Sequence, residues 1–173
     1  MGLVVVFLQA SFGGWDALPD PVGWGLVLAG LVPLRHVLPS GDVAVWLASL
    51  AGLVSLPLVV PAVHERLGAS GDWAVGLPQT GCCLLLAVSL GTLAERDGEP
   101  GDTKVATRFG LLRTAYVVAL VGPAVVYGGH VAALLTPLAV LTVVANVTLV
   151  YLVFAVSKRD WAAPAAVVPQ ESP

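Results

Sequence analysis

The chain has 173 residues, of which 57% are hydrophobic and only 11% charged, and its net charge is −3. A soluble domain carries about twice that charged share, so the composition excludes an ordinary soluble globular protein. No cluster of Lys and Arg of the kind that grips nucleic acid is present, and no nucleic-acid partner is expected.

Taken in order, the apolar stretches read as helices of two lengths. Residues 2–15 form a first apolar stretch of about 14 residues, roughly 21 Å as a helix. No basic residue precedes it and no small-x-small cleavage pattern follows it, so it is read as part of the mature chain and not as a signal peptide. Position six is Val6, which argues against lipidation at Gly2. The run Asp16-Ala17-Leu18-Pro19-Asp20-Pro21 then marks a turn. Asp20 is expected to cap the next helix and Pro21 to occupy its first position, where the missing N–H costs nothing. That helix covers residues 21–37 and stops before Leu38-Pro39-Ser40-Gly41. Together the two short helices are expected to form a hairpin that crosses the membrane or re-enters it.

Four longer runs follow, at 43–63, 73–94, 109–127 and 131–156. Each approaches the ~20 residues that a helix needs to cross a hydrocarbon core. Lipid cannot hydrogen-bond an exposed backbone, so such runs must be helical. Asp42 is the expected cap of the first of them. Residues 64–72 read as a short polar loop, and Pro78 is expected to interrupt the run at 73–94. Residues 95–108 read as a charged, Gly-rich and mobile loop. Gly128-Gly129-His130 leaves no room for anything but an antiparallel pair between the last two runs. The expected fold is an all-α polytopic transmembrane bundle of five to six spans, the first two short. Residues 1–157 make one transmembrane domain, and 158–173 a disordered cytoplasmic tail rich in Ala and Pro.

Basic residues set the orientation, because cytoplasmic loops retain Lys and Arg. Arg35, Arg96, Lys104, Arg108, Arg113, Lys158 and Arg159 fall at one end of the alternating runs, against Arg66 at the other. The expected location is therefore the cell membrane, multi-pass, with the C-terminal residues cytoplasmic. Trp15, Trp24, Trp73 and Tyr127 are expected at the outer interface, where amphipathic rings sit. No internal repeat is found, so an inverted-repeat transporter has no support in the sequence.

Chemistry-bearing residues are few. Arg113 is the only Asp, Glu, Lys or Arg within the four long runs, which counts against ion-coupled carriers and proton relays. Gln79 and Thr80 beside Pro78, and Asn146 with Thr142 and Thr148, are the interior polar groups. They either hydrogen-bond between helices or line a path. Cys82-Cys83 is read as packing, because adjacent cysteines close only a strained ring and buried thiols are poor thiolates. A redox use of the pair remains the alternative. His36, His64 and His130 sit at helix ends without metal-ligand spacing, so no metal, cofactor or catalytic residue is expected. Ala48 and Gly52 make a small-xxx-small face suited to close helix packing.

The segment Leu18-Pro19-Asp20-Pro21-Val22-Gly23-Trp24, with an apolar helix directly after it, resembles a motif of small bacterial multi-pass membrane proteins of uncharacterised function. Those proteins carry Leu-Pro-Asp, one or two variable residues, then Gly and an aromatic residue. The Ala, Val, Gly and Leu bias also suggests a GC-rich genome. The resemblance implies a multi-pass membrane protein and carries no reaction or ligand with it. The expected role is a non-enzymatic structural or accessory membrane component, with the bilayer and a membrane protein or a second copy as partners. A small uncoupled transporter or pore lined by Gln79, Thr80 and Asn146, and a membrane thiol redox enzyme, are the alternatives.

Overall fold

The computed structural model describes residues 2–7, 11–12, 15–16, 20–98, 102–129, 131–159 and 161. Its elements are α1 (Gly2–Phe7), a two-residue antiparallel pair β1 (Ser11–Phe12) and β2 (Trp15–Asp16), α2 (Asp20–Leu34), α3 (Gly41–Leu58), α4 (Pro61–Arg96), α5 (Thr103–Gly129) and α6 (Leu135–Val156). A single 3-10 turn, Ala132–Leu134, leads into α6. Among the described residues, four helices are long and apolar enough to cross a membrane: Gly41–Leu58, Ser70–Arg96, Thr103–Gly129 and Leu135–Val156. In each of them most of the apolar surface lies outside the protein core, as lipid-facing helices require. Pro21–Leu34 is a shorter apolar helix.

The first apolar stretch differs from its expectation. Its described helix is Gly2–Phe7, and Ser11 and Phe12 pair instead with Asp16 and Trp15. Gly13-Gly14 stands between the two strands, and glycines favour a reversal over continued helix. Consecutive helices pack on one another from α1 to α6, and α6 also touches α1 and α4, which closes the bundle.

Glycines set the helix spacing. A methyl added at Gly52 on α3 would lie 3.1 Å from the Cβ of Trp24 on α2. Gly81 on α4 stands in the same relation to Leu47 of α3, and Gly91 on α4 to the Cβ of Phe109 on α5, both at 3.1 Å. Gly122 on α5 would meet Leu138 of α6 at 2.7 Å. Each neighbouring pair from α2 to α6 therefore seats one large side chain on one glycine. This suits a bilayer, where helices associate by close van der Waals contact. The buried face of α3 continues the pattern with Gly41, Ala44, Ala48, Ala51 and Ser55, spaced three and four apart. Ala48 thus packs within the chain, as does Gly52.

Five further expectations change. Residues 64–72 are helical: α4 runs from Pro61 and bends at Gly68, whose φ of 62° and ψ of 174° suit glycine alone. Pro78 lies inside α4 without ending it. The stretch 95–108 is mostly helix, because α4 continues to Arg96 and α5 starts at Thr103. Glu95, Arg96, Lys104 and Arg108 belong to helix ends that extend past the apolar segment. Asp42 sits inside the first turn of α3, where it complements the helix dipole, and Ser40 holds the cap position. Trp24 is 1% exposed and belongs to the core, so it is not an interfacial anchor.

Candidate functional site

Antiparallel neighbours place Arg35, Arg96, Lys104, Arg108, Lys158 and Arg159 at one end of the bundle and Arg66 at the other. Arg113 lies ten residues beyond Thr103, the start of α5, on the basic side of the helix midpoint. Polar side chains gather in the middle of the bundle, at the basic end and at the opposite end.

In the middle, Tyr116 on α5 is 1% exposed and donates its hydroxyl to Oδ1 of Asn146 on α6, at 2.9 Å. Cys83 of α4 lies beside the Tyr116 hydroxyl. Cys82 directs its thiol to the Ala44 carbonyl of α3 at 3.7 Å. Adjacent positions on a helix point about 100° apart, and so the two cysteines serve two different helix interfaces. Both thiols are fully buried. Asn146 is the chain's one asparagine, which made it visible in the sequence; its partner Tyr116 was not singled out. A polar aromatic within an otherwise apolar run was the available signal.

Thr80 donates to the Gly76 carbonyl of its own helix at 3.1 Å. Thr142 and Thr148 do the same with Leu138 and Val144, at 2.9 and 2.7 Å. Such bonds satisfy a hydroxyl inside lipid without a second helix. Gln79 lines a cleft of about 150 Å³ among α2, α3 and α4, together with Trp24, Ser55 and Asp72. Ser55 donates to the Gly52 carbonyl at 2.8 Å. Gln79, Thr80 and Asn146 are thus distributed over three local settings, and the described contacts do not bring them to a common site. Asp20 begins α2, and its side chain, expected as the cap, lies outside the described residues.

At the basic end, sequence reasoning missed a cross-link. Asp102, directly before α5, is 1% exposed and pairs with Arg159 at 3.2 Å. It also accepts a hydrogen bond from the Trp161 indole at 3.0 Å. A carboxylate at a helix N-terminus is favoured by the helix dipole, and its remaining charge is met by the guanidinium. The first residues after α6, expected as part of a free tail, are therefore docked on the α4–α5 turn. Residues 162–173 lie outside the described part. Gly98 lets this turn close, since a side chain there would run into the Ala94 carbonyl. Nearby, Arg35 donates to His36 at 2.9 Å.

Among the described residues, no group of three or more His, Cys, Asp and Glu is arranged to hold a metal ion. His64 and His130 have no described side-chain position. Comparison with family models, curated proteins and solved structures gives no match to this chain.

Proposed function

We propose that this chain is a non-enzymatic structural or accessory component of a cell membrane, crossing it five times through α2 to α6. The observation that carries this reading is the use made of the polar side chains within the spans. Those with described hydrogen bonds bind helix to helix, as Tyr116 with Asn146 and Cys82 with Ala44, or return to their own backbone, as Thr80, Thr142 and Thr148 do; the buried Ser89 hydroxyl has no described partner. α2, at fifteen residues, is roughly 22 Å long and crosses with local thinning of the bilayer. The basic end faces the cytoplasm, by the seven-to-one distribution of Lys and Arg. Its partner is another membrane protein or a second copy, met through the lipid-facing surface, where Trp46 is 74% exposed.

The cleft holding Gln79 supports a second reading, an uncoupled pore entered from the end opposite the basic one. Trp24 forms part of its wall and is 1% exposed. Reconstitution separates the two. Purified protein in liposomes is expected to release neither trapped ions nor small neutral solutes, and Trp24→Ala is expected to leave them sealed. Solute release that rises with Trp24→Ala and falls with Gln79→Leu would replace the accessory reading with the pore. A thiol redox role is tested separately: Cys82→Ala with Cys83→Ala is expected to complement a deletion of the gene. Failure to complement at unchanged protein level would reinstate the redox enzyme.

A further inference from the structure

We propose that the groove between α4 and α5 near the basic end binds the headgroup of a zwitterionic phospholipid of the phosphatidylethanolamine type, with the phosphate on Arg113 and the ammonium on Glu95. The proposal rests on α4 and α5 crossing a bilayer, and not on which compartment the basic end faces.

The groove has a volume of about 70 Å³ and is lined by Gly91, Thr92 and Glu95 from α4 and by Phe109, Gly110 and Arg113 from α5. That size is too small for a whole lipid. Arg113 is the one charged residue inside the long apolar runs, and an arginine at that depth demands a counter-charge. Among the described residues it has neither an ion pair nor a hydrogen bond to supply one, and Glu95 has none either. Two opposite charges therefore share one groove without closing on each other. A ligand carrying both signs is complementary to that arrangement; a purely anionic one would meet Glu95.

Register gives the order of the charges. The close approach of Gly91 to Phe109 puts those residues at one level. Glu95 lies four residues nearer the basic end on α4, and Arg113 four residues farther from it on α5. Their Cα atoms are thus about 12 Å apart in depth at 1.5 Å per residue. Side chains in a helix lean toward its N-terminus. α5 begins at the basic end, so Arg113 leans outward toward the headgroup layer. α4 begins at the opposite end, so Glu95 leans inward. The two side chains converge from opposite directions, with the cation below the anion. A phospholipid presents its groups in matching order from the membrane centre outward: acyl chain, phosphate, amine. Ala87 and Val88 stand level with the Arg113 Cα, beneath its outward-leaning guanidinium, and this apolar wall suits the start of an acyl chain. Thr92 donates to the Val88 carbonyl at 3.0 Å, which leaves its oxygen lone pairs free to accept.

The test uses the full chain, purified in mild detergent and given phosphatidylethanolamine or phosphatidylglycerol before native mass spectrometry. The unaltered protein is expected to retain one phosphatidylethanolamine in preference to phosphatidylglycerol by roughly tenfold, the weight of one charge-assisted hydrogen bond. Glu95→Gln is expected to abolish the preference while a phospholipid is still held. Arg113→Gln is expected to lose both lipids. Gly110→Leu supplies a variant with both charges intact: nothing lies within 4 Å of a side chain started there, so it fills the groove without a clash, and it too is expected to lose both lipids. Helical circular dichroism and gel filtration confirm that each variant is folded. Equal or stronger retention of phosphatidylglycerol by the unaltered protein would overturn the proposal, as would an unchanged preference in Glu95→Gln. Undiminished retention in Gly110→Leu would place any bound lipid elsewhere.

Discussion

At the basic end of the bundle, the α4–α5 turn is closed over Gly98 and tied by Asp102 to Arg159 and Trp161, 57 and 59 residues away in sequence. At the opposite end, α3 passes into α4 through Val59 and Val60, α4 bends at Gly68, and a cleft opens that Trp24, Asp72 and Gln79 line. The first end is held by a buried carboxylate with named polar partners. Between the two, the helices are spaced by glycine against large side chains and by one tyrosine–asparagine bond. Arg159 is half-exposed, so one partner of the ion pair stays solvated while the other is buried. That compromise is available where water and headgroups reach. It is costly in hydrocarbon, and there the chain uses shape.

If shape sets the middle of the bundle, a side chain at a glycine seat should do the most damage. Gly91→Leu drives a side chain into the Cβ of Phe109, a part that cannot swing away, and is expected to destabilise by about 3 kcal/mol, as overpacking does. Thermal melting in detergent reads this, with Gly110→Leu, which faces open space, as the control of small effect. The next largest effect should fall at the basic end. Asp102→Ala removes the acceptor for both Arg159 and Trp161 and is expected to lose about 1.5–3 kcal/mol, the range for hydrogen bonds to a charged group. Trp161 fluorescence should shift to the red in that variant, and less so in Asp102→Asn, which keeps an oxygen for the indole.

Gly68→Ala forces a side chain into a backbone conformation that L-residues avoid and is expected to lose roughly 1 kcal/mol. Its signature should be faster hydrogen exchange around residues 61–75 with unchanged Trp161 fluorescence, a reversal of the Asp102 pattern. Smallest of all should be Tyr116→Phe. Interhelical hydrogen bonds in membranes average about 0.6 kcal/mol, so the variant should melt only slightly earlier. A loss several times larger would mean that the middle of the bundle, too, depends on polar bonding.

How much of this was legible depends on the range of the forces involved. The four long helices follow from local hydropathy: the last run, read as 131–156, is helical over Leu135–Val156 with a 3-10 turn before it. Boundaries at charged segments were misread for a physical reason. Charge marks where a chain leaves hydrocarbon, and helices continue beyond that point, as α4 does to Arg96. Trp24 shows two preferences in conflict, since indole favours an interface but also fills a core opposite a glycine, and Gly52 lies on another helix. Asn146 stood out by its type, yet its pairing with Tyr116 depends on the register between α5 and α6. The contact of Asp102 with Trp161 is of the same kind and left no local pattern. Of the residues singled out in advance, Gln79 reached a cleft, Thr80 bonded its own helix, and Asn146 met a neighbouring helix.

The proposed topology turns on which face of the membrane the basic end meets. Single cysteines at Asp97 and Ser70, both exposed and at opposite ends of α4, give the direct test in a Cys82→Ala, Cys83→Ala background. A membrane-impermeant maleimide applied to intact cells is expected to modify position 70 and to reach position 97 only after permeabilisation. Modification of position 97 in intact cells, with position 70 protected, would put the basic end outside and contradict the proposed topology.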